Sequence, residues 1–480
     1  MIHRLDRPAK EGYKLGLLHE ECGVFGIHNR DGSDISARMY YGLFALQHRG
    51  QESCGIAVRQ GEQIICHKGM GLVGEVFKPE NLRGLSGSAA IGHVRYSTAG
   101  RSIYENAQPI VTQYSKGAFS IAHNGNLTNA DRLRTQLEEK GAIFQTDVDS
   151  EVIAYVIAGK RVQTHSIEKA VAEMMKVVRG AYSLLVMSPG KLIAARDRYG
   201  FRPLCIGRIG NSEVFASESC ALDAVGAEFV RDVMPGEVVV CDANGMRSIF
   251  PEPPAKCSRC IFEYIYFARP DSIIDGVGVY DARFQAGRLL AALHPVDADA
   301  VIGVPESGLD AAAGFSFESG IPVVRGFYKN SYIGRTFIKP DQVLRQEAVG
   351  IKLNPIRSVV RGKRVVLIDD SIVRGTTIAH IIGLLRGCGA KEVHVRISAP
   401  PFRYPCYFGT DVPSCEALIA NMHTVNSIAS IIGADSLGYL DVSSLANMLG
   451  DGRCDYCDAC FSGNYPEGSM DQPMDTGTRE

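Results

Sequence analysis

Residues 364–377 read R-V-V-L-I-D-D-S-I-V-R-G-T-T, and this order sets the architecture of the C-terminal half. The apolar, β-branched run reads as a strand buried on both faces. It ends on two adjacent carboxylates, Asp369 and Asp370, and a turn of Ser, Gly and Thr leads at once into a helix opening near Thr376. Backbone N–H groups in such a turn, together with the positive helix N-terminus, hold a phosphate, and Ser371, Thr376 and Thr377 add hydroxyl donors. The carboxylates would repel that phosphate if they faced it. They suit another part of the same ligand: adjacent sugar hydroxyls and a hard cation held by oxygen. Solvated acids followed by a plain helix N-cap would account for each element singly, but not for their coincidence.

Working outward, helix-like segments at 282–293, 308–319 and 376–386 alternate with apolar strands at 300–304, 321–324, 364–368 and 392–398. Such alternation means a parallel sheet covered on both faces, with ligands gathering beyond the carboxyl ends of its strands. The segment F-P-E-P-P-A at 250–255 reads as a linker, because its prolines continue neither a helix nor an interior strand. Before it the pattern changes to short apolar runs broken by Gly, Asn and Pro. Helices are expected at 128–140 and 166–178, a hairpin at 181–187 and 191–196, and a further strand at 237–241. Strands grouped apart from helices indicate antiparallel sheets layered with helices.

The 480 residues are 45% hydrophobic and 22% charged, an ordinary globular balance. Lys plus Arg total 51 against 53 Asp plus Glu, a formal net charge of −2, so no global basic field invites nucleic acid. The first 21 residues hold His3, Arg4, Asp6, Arg7 and Lys10, leaving no apolar core for an export signal. No apolar run is long enough for a membrane span, and a cytoplasmic location is expected. The fourteen cysteines include Cys257 and Cys260 in one C-x-x-C unit and Cys454, Cys457 and Cys460 repeating that spacing, with Cys406 and Cys415 between. That spacing favours metal over disulfide and, taken alone, zinc, although an iron–sulfur cluster uses the same thiolates.

The string at 364–377 resembles the phosphoribosylpyrophosphate (PRPP) motif of type I phosphoribosyltransferases. The resemblance implies that Asp369 and Asp370 meet the ribose hydroxyls, and that Ser371, Val373, Arg374, Gly375, Thr376 and Thr377 hold the 5′-phosphate. It also implies that Asp369 and Asp370, with Ser307 of V-P-E-S-G-L-D at 304–310, surround the Mg2+ of Mg–PRPP. K-N-S-Y-I-G-R-T-F-I-K-P at 329–340 reads by composition as an exposed basic loop; the family's loop is similar and forms a lid, with Tyr332, Arg335 and Thr336 meeting the ligand. Lys352 follows in V-G-I-K-L at 349–353. The chain departs from the family at Ser331 and Gly350, where basic residues are usual.

In the first half, C-G-V-F-G-I-H at 22–28 reads alone as a buried thiol before a strand. With L-Q-H-R-G-Q-E at 46–52, G-H-V-R-Y-S-T at 92–98, H-N-G-N-L at 123–127 and T-D-V-D-S-E at 146–151, it resembles the glutamine amidotransferase domain with an N-terminal nucleophile. There the nucleophile uses its own α-amine as base, so Cys22 is expected to become the first residue after residues 1–21 leave as a propeptide. The resemblance implies that the Asn124 side chain and the Gly50 N–H hold the oxyanion, that Arg95 and Asp149 take the carboxylate and ammonium of glutamine with Gly125 adding backbone contacts, and that Arg49 couples the two sites.

Together the two motif sets resemble the amidophosphoribosyltransferase family, and specifically its iron–sulfur subgroup with a propeptide. That resemblance implies ammonia transfer from glutamine to PRPP, giving 5-phosphoribosylamine, glutamate and pyrophosphate at the start of purine synthesis. It further implies a homotetramer inhibited by purine nucleotides, and a 4Fe-4S cluster held by Cys260, Cys406, Cys457 and Cys460 within C-I-F-E-Y-I-Y-F at 260–267, P-C-Y-F-G at 405–409 and C-D-A-C-F-S-G-N-Y-P at 457–466. The expected fold is α+β in αββα layers followed by an α/β domain with a parallel sheet. The expected limits are 1–21 for the propeptide, 22–255 for the glutaminase domain, 256–465 for the phosphoribosyltransferase domain with its cluster segment, and 466–480 for a tail. An amidotransferase with another acceptor would not need the 364–377 string, and a PRPP-sensing regulator would not need a glutamine site.

Overall fold

The computed structural model describes residues 22–96, 101–253, 255–330, 353–410, 412, 414–450 and 455–466. The propeptide expected at 1–21 lies outside the described residues, as do Cys454 and the lid residues Tyr332, Arg335, Thr336 and Lys352.

Two antiparallel sheets stack in the first half. One has seven strands in the spatial order Glu228–Asp232, Cys205–Ile209, Ser212–Ala216, Gly23–Asn29, Ala89–Arg95, Ser53–Gln60 and Gln63–Met70. The other has six, in the order Gly245–Ile249, Val238–Asp242, Lys191–Arg196, Gly180–Ser188, Gly117–Leu127 and Ile110–Tyr114. Every residue of Gly23–Asn29 is buried, because strand alternation sends its side chains into two different cores. Phe25 and Ile27 face Met39 and Leu43 of the helix Ser36–Ala45, while Val24 faces Leu185, Met187 and Val239 of the second sheet. A third core joins Ile121, Leu184 and Val186 to Val152, Ile157 and Met174 of the outer helices. The result is helix, sheet, sheet, helix. Each fully buried Phe, Leu, Ile or Val contributes about 1.5–3 kcal/mol. Gly26 permits the close stacking, since a Cβ there would lie 2.9 Å from Leu185 Cδ1.

The second half carries four parallel strands in the order Ala300–Gly303, Arg364–Asp369, Glu392–Ile397 and Ser436–Tyr439. Val365, Val366, Leu367 and Ile368 are wholly buried, as a strand covered on both faces requires. The helices Val279–Leu293 and Gly308–Ser319 pack against one another so closely that a Cβ on Gly287 would meet the Ala311 carbonyl at 1.9 Å. The segment 321–324 differs from expectation. It makes one bridge, Val301 to Val323, and no strand, because Pro322 lacks the N–H that would continue a ladder.

The halves interlock through Phe201, which stacks on Phe408 with centroids 4.2 Å apart, and through Cys260 N donating to the Phe201 carbonyl at 3.1 Å. Arg196 meets both oxygens of Asp275 at 2.8 Å. Among the described residues no helix is long and apolar enough to cross a membrane.

Candidate active site

Cys22 immediately precedes the central strand Gly23–Asn29, so the core itself fixes where its thiol lies. The Sγ donates to the Tyr96 carbonyl at 3.3 Å. Burial pushes the thiol up to about 11, with Arg95 pulling against it. A small cavity, about 240 Å³ including its mouth, is walled by Cys22, Arg95, Tyr96, Gln108, His123, Gly125, Val148, Asp149 and Ser150. The structure thus brings Cys22, Arg95, Gly125 and Asp149 together.

Asn124 and Gly50 lie beside this cavity rather than in its wall. Asn124 is 1% exposed, and its Nδ2 has no hydrogen-bond partner among the described residues. An orphaned buried amide costs about 1–3 kcal/mol, a cost that a bound oxyanion would offset. Gly50 packs on the strand Ala89–Arg95 so tightly that a Cβ would lie 2.6 Å from Arg95 N. Gly125 has φ +146°, and a Cβ there would sit 2.1 Å from the Ala181 carbonyl, so only glycine fits. Asp149 opens the helix Asp149–Thr164 and accepts from Leu127 N at 2.9 Å. Burial works against its charge, but His123 and the backbone donors hold it below the usual carboxylate range.

Behind Cys22 lies a buried ion cluster. Arg49 Nε donates to the Cys22 carbonyl at 3.1 Å, Nη1 to Glu218, and Nη2 to both oxygens of Glu263 at 2.7 and 2.9 Å. Burial opposes the Arg49 charge, and Glu263 and Glu218 outweigh it. Glu218 also accepts from His48 Nε2 at 2.7 Å, Arg269 N at 2.9 Å and Ser272 Oγ at 2.7 Å. The motifs gave Glu218 and Glu263 no role. Glu263 alone carries a sequence signal, an acid within the apolar run I-F-E-Y-I-Y-F, which is costly to bury unless paired.

In the second half the strand Arg364–Asp369 delivers Asp369 and Asp370, 8% and 6% exposed, to the expected end of the sheet. Ser307 and Ser371 hydroxyls both donate to Asp370. Ser307 can reach because the preceding loop is pressed against the strand, where a Cβ on Gly308 would lie 2.4 Å from the Ile368 carbonyl. The chain then turns through Val373 and Arg374 to Gly375, which has φ +83° and caps the helix Thr376–Gly387. The helix N-terminus therefore opens beside the acids. Burial and the facing Asp370 hold Asp369 well above the usual carboxylate range, as two acids side by side require. Tyr266 is half-buried, and the charges of Asp370 and Asp369 reach it.

Cys260 and Cys457 pair across the short parallel strands Arg259–Cys260 and Tyr456–Cys457. Cys406 and Cys460 lie near both: burial first, then Cys260 and Cys406, raise Cys457, and burial with Cys406, Cys260 and Cys457 raises Cys460. Phe408 N donates to Cys406 Sγ at 3.4 Å. This donor set suits a thiolate-held group, although among the described residues no three His, Cys, Asp or Glu side chains are closed to metal-holding geometry. Cys257 is part-buried and Cys415 exposed, and neither is in a disulfide. A larger groove, lined by Lys116, Arg161, His165 and Lys191 among others, holds none of the expected residues.

An αββα domain with a buried cysteine beside a small polar cavity, joined to a parallel sheet ending in two acids and a phosphate-type turn, defines a glutamine amidotransferase fused to a phosphoribosyltransferase. Comparison with known proteins agrees: a glutamine amidotransferase domain matches residues 93–224 and a phosphoribosyl transferase domain matches residues 284–401. The amidophosphoribosyltransferase of Methanocaldococcus jannaschii is 48% identical over 460 residues, 93% of this chain and 97% of its own. That of Bacillus subtilis is 48% identical over 454 residues, 94% of each chain. The solved glutamine PRPP amidotransferase from B. subtilis complexed with ADP and GMP superposes with a TM-score of 0.87 at 46% identity, covering 94% of this chain and 99% of that one. The chain belongs to the amidophosphoribosyltransferase family.

Proposed function

We propose that the protein transfers ammonia from glutamine to PRPP, producing 5-phosphoribosylamine, glutamate and pyrophosphate, the first step of purine synthesis. The observation that carries this reading is that one chain holds both the cavity of Cys22, Arg95 and Asp149 and the acids Asp369 and Asp370 at the head of a phosphate-type turn.

Residues 1–21 leave as a propeptide, and the freed α-amine of Cys22 takes the thiol proton, which burial otherwise holds in place. The thiolate attacks the side-chain carbonyl of glutamine while Arg95 and Asp149 grip its α-carboxylate and α-ammonium. The oxyanion is met by the unpartnered Asn124 amide and the Gly50 N–H. Ammonia departs with the proton, and water then releases glutamate from the thioester. On the other side of the wall the turn Ser371–Thr377 holds the 5′-phosphate, with Val373, Arg374, Gly375 and Thr376 in that turn, and Asp369 and Asp370 orient the ribose hydroxyls. Ser307, Asp369 and Asp370 would hold Mg2+, which neutralises the departing pyrophosphate. Ammonia attacks the anomeric carbon as pyrophosphate leaves. A lid carrying Tyr332, Arg335, Thr336 and Lys352 excludes water during transfer.

Cys260, Cys406, Cys457 and Cys460 would hold a 4Fe-4S cluster of structural role, tying the C-terminal segment to the sheet. The domain limits are 22–255 and 256–465, with a tail from 466. Purine nucleotides act as inhibitors of a homotetramer in the cytoplasm. The bound ADP and GMP of the B. subtilis relative support nucleotide regulation.

The test combines mass spectrometry of the expressed chain with an assay containing glutamine and PRPP. Cys22 at the N-terminus and glutamate formation stimulated by PRPP are expected. Intact Met1 in active enzyme would sink the propeptide, and ammonia-dependent activity without glutamine-dependent activity would remove the first half of the scheme.

A further inference from the structure

One buried carboxylate to which no motif assigned a role touches both halves of the molecule. Glu263 opens the π-helical turn Glu263–Phe267 and is 1% exposed. Besides the two bonds from Arg49, its Oε1 lies 3.4 Å from Arg202 Nη1. Two guanidinium groups on one buried acid gain little stability over apolar packing, and such clusters serve best to fix register or to switch.

Each arginine leads to a different part of the glutamine site. Arg49 Nε holds the carbonyl of Cys22 itself. Arg202 Nε holds the Phe408 carbonyl at 3.1 Å. The adjacent Tyr407 carbonyl accepts from Asn126 Nδ2 at 2.9 Å, two residues beyond Asn124. Nucleophile and oxyanion strand therefore hang on one carboxylate. The same turn is tied to the second site by hydrogen bonds, because Arg283 donates to the Tyr264, Tyr266 and Ala268 carbonyls at 2.8, 3.0 and 2.7 Å and lies 3.7 Å from Asp310 of the helix that follows Ser307. Ala268 N donates to the Glu263 carbonyl at 3.0 Å and closes the turn, so its two ends move as one piece.

We propose that Glu263 is a positioning residue that transmits occupancy of the PRPP half to Cys22, by setting Arg49 against the Cys22 carbonyl and Arg202 against the Phe408 carbonyl. The inference rests on the activity proposed above. Ligand at Ser307, Asp369 and Asp370 shifts the helix bearing Asp310, Arg283 draws the turn with it, and Glu263 moves the two arginines that seat the nucleophile and the oxyanion strand.

The test uses the full chain with Glu263→Gln and Glu263→Asp. Glutamate formation is measured with and without PRPP, and phosphoribosylamine formation is measured with ammonia as nitrogen source. In Glu263→Gln, stimulation of glutamate formation by PRPP falls about tenfold, while the ammonia-dependent kcat and the KM for PRPP stay within about twofold. Glu263→Asp keeps the charge but draws the carboxylate back by a methylene, and gives an intermediate loss. Unchanged stimulation in both variants overturns the proposal. So does a parallel loss of ammonia-dependent activity, which marks a residue needed only for folding. If Glu263→Gln does not fold, Glu263→Asp decides alone. A wild-type chain without PRPP-stimulated glutamate formation sinks the underlying activity instead, whatever the variants do.

Discussion

Gly50→Ala isolates the glutamine half of the reaction. The added Cβ would lie 2.6 Å from Arg95 N and Val94 C and 2.7 Å from Arg95 C. These are backbone atoms of Ala89–Arg95, which is paired on both sides in the seven-stranded sheet, so the strand does not yield. The loop must withdraw by about 0.8 Å, the shortfall between 2.6 Å and an ordinary 3.4 Å contact. A displacement near 1 Å costs about 10²-fold in a positioned reaction, and complete loss of one oxyanion donor costs about 10²–10³. The expected result is a fall of about 10² in kcat for glutamate release. Strain should also lower stability by about 1–3 kcal/mol, read as a lower denaturation midpoint. Ammonia-dependent phosphoribosylamine formation should stay within about twofold, because Gly50 touches neither acid of the PRPP half. Equal loss of both activities would mean the loop supports the fold rather than the oxyanion. Full glutaminase activity would mean the N–H has no such role.

Asp370→Asn should give the converse, abolishing phosphoribosylamine formation from either nitrogen source and sparing basal glutamate release; loss of basal release would place the acid in the wrong half. Because burial and Asp370 hold the Asp369 carboxyl above its usual range, the metal-free pair keeps a proton that Mg2+ must displace. Mg2+ affinity should therefore rise with pH, with proton release in calorimetry, and an affinity independent of pH would refute the paired-acid site. With Cys22 raised to about 11, thiolate grows about tenfold per pH unit below that value. Iodoacetamide labelling of Cys22 in the uncleaved chain should rise in step from pH 7 to 9, and a flat profile would count against a neutral thiol. Anaerobically purified protein should contain iron and sulfide and absorb broadly in the visible, and Cys457→Ser should lose both; colourless, iron-free protein would rule the cluster out.

Elements set by local chemistry were legible in the sequence. Arg364–Asp369 and Thr376–Gly387 read directly, because an apolar β-branched run ending on Asp369 and a helix opened by Gly375 leave few alternatives. The Lys191–Arg196 hairpin strand likewise followed from the Pro189-Gly190 turn. The helix Asp149–Thr164 was not visible as a helix: residues 149–154 are buried all round, so no polar stripe marks its period. Ser436–Tyr439 was missed because Gly438 weakens a strand signal, and its glycine serves packing instead, with a Cβ lying 2.6 Å from the His294 ring. Within the site, Cys22, Arg95, Gly125 and Asp149 were found through their strings, whereas Glu218 and Glu263 were not. Their partners lie 169 and 214 residues away, and no local spacing encodes a pairing of that range.

That distance explains how the charges are distributed. A chain with 51 basic and 53 acidic residues has no long-range field to gather a zwitterion or a polyphosphate, so each ligand needs a built cradle. The cradles lie in different halves, and apolar contacts such as Phe201 on Phe408 hold those halves together without direction. Buried ion pairs supply direction, because leaving one member unpaired costs about 3–5 kcal/mol. Arg49, Arg196 and Arg202 are all nearly fully buried, and each finds an acid on the far half: Glu263, Asp275 and Glu263. A slip of one half against the other would part Arg196 from Asp275 and both Arg49 and Arg202 from Glu263 at once, so these pairs restrict the interface to one docking of the halves.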